Sequence, residues 1–182
     1  MKKLIISTLL VLVVGCSSTI KNNNSLGKVF PQVQGKSLFG DSISVPQKVN
    51  DYQVILIGYK QNTQFDIDRW LIGLEMTGVK VLVNELPVLD SWFPFWFRNK
   101  IDGGMKRGIP EGLWKNVITV YDDAQIIKNF LGTENPNNAR VILLDAEHKV
   151  LAHFDDGFSS KSLSTILKFI PKNKKSSCGQ LF

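Results

Sequence analysis

Two hydrophobic rhythms run along this chain, and the clearest switch between them falls in residues 53–85, QVILIGYKQNTQFDIDRWLIGLEMTGVKVLVNE. Val54 to Ile57 is a continuous apolar run, too short for a free helix and bounded by polar residues. A strand buried on both faces of a parallel sheet reads this way. Thr63 then stands at an N-cap position, with Asp66 placing a carboxylate in the first helical turn. Phe65, Trp70, Leu71 and Leu74 recur at roughly helical spacing, and Gly78 sits where a helix takes its left-handed stop. Val79 to Val83 is a second apolar strand. A strand, helix and strand in this order predict a right-handed crossover between parallel strands. Chemistry in such sheets lies just beyond the carboxyl end of a strand. Here that is the loop Tyr59, Lys60, Gln61, Asn62, Thr63, Gln64, which holds no cysteine, histidine or acid.

The same rhythms organise the flanks. Residues 29–46, VFPQVQGKSLFGDSISVP, carry short alternating runs broken by Gly35, Gly40 and Pro46, which predicts a β-hairpin packed onto the main sheet. Val117 to Tyr121 is a further strand. Asp122 is expected to cap a short helix over 123–131 that buries Ile126, Ile127, Phe130 and Leu131 and stops at Gly132. The apolar runs 140–145 and 149–154 lie on either side of a turn at 146–148, predicting an antiparallel hairpin. Ser159 caps a last helix carrying Leu163, Ile166, Leu167 and Ile170, ended by Pro171. Residues 86–114 are the least regular part and long for a connection. Trp92, Phe93, Phe95, Trp96 and Phe97 crowd its centre, with Pro94 near a helix start and Gly103-Gly104 at its expected end. The favoured reading is a helix covering one face of the sheet with these aromatics as core. The alternative is a patch that binds a partner or touches the membrane interface.

Composition adds little to this: 182 residues, 43% hydrophobic and 21% charged, are ordinary for one globular domain. The first residues change the picture more. Lys2 and Lys3 precede an apolar stretch, Leu4 to Val14, too short for a stable membrane span, and Val-Val-Gly-Cys follows with Cys16 last. This resembles the bacterial lipoprotein signal. The resemblance implies removal of residues 1–15, acylation of Cys16 with fatty chains, and a lipid-anchored protein facing the periplasm of the cell envelope. Ser17 favours the outer membrane. On this reading residues 16–28 are a flexible tether, 29–171 the domain, and 172–182 a disordered lysine-rich tail. Loss of Lys2 and Lys3 lowers the formal charge from +6 to +4. There is no basic helix or aromatic-interleaved basic stripe, so nucleic-acid binding is set aside. With Cys16 acylated, Cys178 is the one remaining thiol, and the mature domain forms no internal disulfide.

From residue 53 the order is strand, helix, strand, helix, strand, short helix, hairpin, helix. With the hairpin before it, this resembles the thioredoxin-like fold in its peroxiredoxin-type elaboration, over roughly residues 30–170. The expected fold class is therefore α/β, a central mixed sheet flanked by helices with an N-terminal β-hairpin. VILLDAEHKVLAHFDDGFS resembles that fold's hairpin strand, turn and returning strand. Asn84-Glu85-Leu86-Pro87, the aromatic-basic stretch around Arg98, Gly108-Ile109-Pro110-Glu111 and Leu144-Asp145 are similar in order to the mitochondrial ATP-synthase assembly chaperones. Redox members of the fold carry a cysteine at the mouth of the first helix, where the helix N-terminus favours the thiolate. This chain has Gln61, Asn62, Thr63 and Gln64 there. The fold's cis-proline usually directly precedes the hairpin strand, and Asn138 and Ala139 stand in that place. Both halves of a redox site are missing.

No catalytic residue, cofactor or metal site is expected. His148 falls in the hairpin turn, and its separation from His153 makes a shared site with Asp145, Asp155 and Asp156 poorly arranged. Asp66 and Asp68 read as helix-dipole partners. The candidate binding residues are the mouth, Lys60 to Gln64, which could hold a small anion on free backbone amides, and Trp92, Trp96, Arg98 and Arg107. The expectation is a redox-inactive binding domain that assists assembly of another envelope protein. The rivals are a peroxidase or reductase acting through Cys178, and a small-ligand carrier.

Overall fold

In a computed structural model, which describes residues 19–171, β3 (Gln53–Gly58) is buried at all six positions and forms the middle of the molecule. Around it are β1 (Val33–Ser37), β2 (Ser42–Val45), α1 (Gln64–Met76), β4 (Leu82–Pro87), α2 (Phe95–Gly108), β5 (Ile118–Thr119), α3 (Ala124–Leu131), β6 (Arg140–Leu144), β7 (Val150–Phe154) and α4 (Ser160–Phe169). The main sheet has the order β4-β3-β6-β7. β3 and β4 run parallel from Gln53↔Leu82 to Gly58↔Pro87, while β6 lies antiparallel to both β3 and β7. The N-terminal hairpin β1–β2 forms a second sheet with β5 rather than joining the first. Parallel bridges Glu85↔Val117 and Val88↔Val120 then hold the β5 segment beside β4.

The two-residue alternation of strands divides the core between two layers. Ile55, Ile57, Leu86, Ile142 and Leu144 point to one face and pack with Phe30, Ile118, Ile127 and Leu131. Val54, Leu56, Val141 and Leu143 point to the other, against Ile67, Trp70 and Leu74 of α1 and Ile166 of α4. Both faces of the sheet are thus covered, which is why β3 and β6 read as unbroken apolar runs. Gly78 at φ +64 ends α1 and Ser159 caps α4 by accepting from the Ser162 amide, as expected.

Several local expectations are corrected. Phe65 is 73% exposed, because α1 turns Ile67, Trp70 and Gly73 inward instead. The second strand starts at Leu82, three residues late, and runs on to Pro87. Asp122 does not cap α3. Asp123 precedes that helix without a side-chain cap and accepts from the Gln34 amide, and Asp122 pairs with Arg98. Ile126 lies on the open face of α3. Gly103-Gly104 does not end α2, which continues to Gly108. No residue of α2 is buried, and Trp92, Phe95 and Trp96 are 72%, 72% and 69% exposed. Trp92, Phe95 and Trp96 are surface rather than core, and Phe93 and Phe97 are half-buried.

Residues 20–30, expected in part as tether, are docked as a strap along the β7 edge. Gly27 and Val150, then Phe30 and His148, are joined backbone to backbone, so the strap runs antiparallel to β7. Its start is fixed to the loop after α3, where Thr133 N–H donates to the Ile20 carbonyl at 2.7 Å. Gly132 lies at φ +88, ψ 177, and a Cβ there would meet the Asn22 Cα at 2.4 Å. Only glycine gives both that conformation and that clearance. Gly132→Ala is expected to lose about 1–3 kcal/mol in chemical denaturation. It should also make residues 20–28 newly susceptible to limited proteolysis, whereas an unchanged cleavage pattern would show that the strap tolerates the side chain.

Candidate functional site

The carboxyl ends of β3 and β4, the start of β6 and the end of β7 meet at one edge of the sheet. The sequence-predicted mouth lies there. Its geometry differs from a bare helix start. Gln61 to Thr63 form a short 3-10 turn before α1, in which the Thr63 and Gln64 amides donate to the Lys60 and Gln61 carbonyls. Two of the loop's amides are thus engaged within the turn itself. Lys60, Gln61 and Asn62 are exposed. Thr63 is buried and its hydroxyl donates to the Pro136 carbonyl at 3.2 Å, while the Asn62 amide reaches Asn137. Gln64 donates to Asp68.

Asp66, read as a helix-dipole partner, is buried and does something more specific. One carboxylate oxygen accepts from the Ala139 amide at 2.9 Å and the other from the Phe158 amide at 2.7 Å. These charge-assisted bonds tie α1 to the residue before β6 and to the loop before α4.

Beneath the mouth Tyr59, the first residue of the predicted loop, meets Arg140, which sequence reading missed. Arg140 opens β6 opposite Ile57, is fully buried, and stacks its guanidinium 4.6 Å from the Tyr59 ring centre. It donates to the Asn135 carbonyl and to the Asn22 side chain, both at 3.2 Å. Asn22 in turn donates to Asp155 and takes the Glu134 amide, so one strap residue closes the cluster. Burial lowers the pKa of Arg140, opposed by Tyr59, Asp155 and Glu134, and burial raises that of Tyr59. A cation opening an otherwise apolar strand was the available signal for Arg140. Nothing in the sequence placed Asn22 against it.

His148 and His153 have different partners. His148 sits in the turn at φ 63 and bonds the Gln47 carbonyl, whereas half-buried His153 bonds Ser25 of the strap at 3.0 Å. Among the described residues no group of three His, Cys, Asp or Glu could hold a metal. Cys16 and Cys178 lie outside the described residues. Arg98 faces inward. It pairs with Asp122 at 2.9 Å, donates to the Phe93 and Ser91 carbonyls and stacks on Tyr121, so it holds the start of α2 in place. Trp92, Trp96 and Arg107 are exposed. A groove lined by Thr77, Val79, Lys80, Leu167 and Ile170 lies at the opposite end of the sheet from the mouth.

Glu85 is the other buried acid at this end. It stands on β4 facing α1, and burial pushes its pKa up to about 7, with Gln64 opposing and Asp68 adding to the shift. The folded state therefore holds a proton that the unfolded chain releases near pH 4.5. This contribution to stability is complete below the unfolded value and is lost as pH rises through about 7. Glu85→Gln is expected to flatten that decline and to be more stable than wild type at pH 8 by on the order of 3 kcal/mol. Parallel stability curves for the two proteins from pH 5 to 8 would contradict the assignment. Asp66→Ala is expected to lose about 2–4 kcal/mol, since one buried and one half-buried amide lose their acceptor, and equal denaturation midpoints would show that water replaces it.

No protein-family model matches the sequence, and no curated protein matches it. Solved structures do. The thioredoxin domain of a thiol-disulfide oxidoreductase from Bacteroides vulgatus matches at TM-score 0.55 and 16% identity, covering 82% of this chain and 100% of that one. A peroxiredoxin-like protein from Aquifex aeolicus gives 0.53 and 12%, over 84% and 92%. A member of the Sco family of cytochrome c oxidase assembly proteins gives 0.55 and 11%, over 84% and 96%. At such identities the likeness speaks to architecture. The chain has the thioredoxin-like fold, with a mouth that presents Gln61, Asn62, Thr63 and Gln64 in place of thiols.

Proposed function

We propose that this is a lipid-anchored envelope protein whose thioredoxin-like domain works by binding, and that it assists assembly of another envelope protein. One observation carries the reading: α2, a helix of 14 residues, buries none of them. Its start is fixed by Arg98 and its middle by the bond from the Tyr121 hydroxyl to Asp102 at 3.0 Å, so the helix is held firmly while its outer face stays free. A rigid, open helix is a suitable contact element, and binding requires no reactive group. The mouth agrees with this, because amide and hydroxyl side chains cannot carry out disulfide exchange. The order of motifs similar to the ATP-synthase assembly chaperones points the same way, as does the assembly role named for the Sco neighbour. A thiol peroxidase acting through Cys178 is the rival, and loss of a peroxide-reducing activity in a Cys178→Ser protein would favour it.

The contact surface is assigned to the outer, basic flank of α2, where Lys100 and Arg107 are exposed. In a crosslinking pull-down from envelopes, wild type is expected to capture a specific protein that a folded Lys100→Glu, Arg107→Glu variant loses. Recovery of the same proteins by both, or of none, would reject the binding role of this helix.

A further inference from the structure

The aromatic tip of α2 and the point where the chain leaves towards Cys16 lie at the same end of the domain. β3 and β4 are parallel, so Trp92, five residues beyond Pro87, stands at their carboxyl end. β6 is antiparallel with Arg140 opposite Ile57, and β7 returns with Phe154 opposite Val141, so Arg140 and Asp155 share that end. Asn22 is bonded to both, while the strap reaches His148 at the far end only at Phe30. The strap therefore enters the domain at the mouth end. Cys16 precedes docked Ile20 by four residues, a reach of at most about 14 Å.

We infer that the tip formed by Trp92, Phe95 and Trp96 seats in the lipid–water interface as a second membrane contact beside the anchor. This rests on the reading of Cys16 as the acylated residue. The tip is suited to that occupant. Trp92 stacks on Phe93 at 4.2 Å, Phe93 on Phe97 at 5.1 Å, and Trp96 meets Phe97 edge-on at 5.7 Å, giving one continuous aromatic surface. Tryptophan rings favour the headgroup level of a bilayer. Exposed Lys100, about one turn behind the tip, places a cation where anionic headgroups would lie. With an anchor so short, the domain cannot move its mouth end far from the bilayer, so an exposed aromatic patch there meets lipid first. Two contacts also fix orientation, leaving the basic flank of α2 accessible from the side. The domain is held end-on, with the mouth towards the membrane and the hairpin away from it.

The test uses the full chain purified from envelopes and placed in vesicles of phosphatidylethanolamine and phosphatidylglycerol, with and without brominated acyl chains. The chain has four tryptophans. Trp70 is buried under α4 and Trp114 packs against Lys106 at the other end of α2, so neither can reach the bilayer. Brominated lipid is expected to quench the emission of Trp92 and Trp96, and the quenchable part should vanish in a Trp92→Phe, Trp96→Phe variant. Mass analysis of the same preparation establishes whether Cys16 is acylated. An acylated protein that brominated lipid does not quench would overturn the lipid contact while leaving the anchor and the binding role intact. Quenching that persists in the variant would overturn the assignment to this tip. A chain without acyl groups would remove the orientation argument and overturn the inference with it.

Discussion

One carboxylate holds three parts of this molecule in register. Asp66, buried in the first turn of α1, accepts from the amide before β6 and from the amide before α4. A buried charge without partners would be strongly unfavourable, and two backbone donors convert it into a directional tie. The helix start is thereby placed over the sheet at a fixed angle, and with it Trp70, which packs against Phe154 and Phe158 in the layer beneath α4. The position of the mouth follows from this tie more than from the mouth's own residues.

Around that frame the polar groups beneath the mouth support each other in a closed set. Arg140 enters the sheet as a buried cation, its charge spread over the Tyr59 ring, the Asn135 carbonyl and the Asn22 amide oxygen. Asn22 belongs to the strap, so the N-terminal segment completes the interior of the domain instead of hanging from it. Redox members of the fold use this end of the sheet for a reactive thiol. Here the same end carries hydrogen-bonded amides, and a 3-10 turn leads into the helix.

What remains open is α2. The residues that fasten it, Arg98 and Asp102, face Asp122 and Tyr121, and Trp92, Phe95 and Trp96, which would ordinarily form a core, face outward. The arrangement separates fastening residues from exposed residues within one helix. It gives an aromatic tip at the end where the chain departs towards Cys16 and a basic flank along the side, two surfaces of different chemistry.

The sequence by itself determined the elements whose signal is local. The apolar runs of β3, β6 and β7, the left-handed stop at Gly78, the Ser159 cap and the hairpin turn all depend on neighbours a few residues away, and the order of those elements was enough for the fold. The missing thiols at residues 61–64 were equally plain. Tertiary structure alone decided which face of each helix was inward, which is why Phe65 and Ile126 are exposed despite helical spacing. It also decided the fate of the aromatics at 92–97, since composition cannot distinguish a ring that packs inward from one displayed on an outer helix. The partners of Asp66, Arg140 and Asn22 were not legible for a related reason. Asp66 meets Ala139 and Phe158 across 73 and 92 residues, and Asn22 meets Arg140 across 118. Contacts made over such separations leave no periodic trace in the chain, and only the folded backbone brings those atoms within bonding distance.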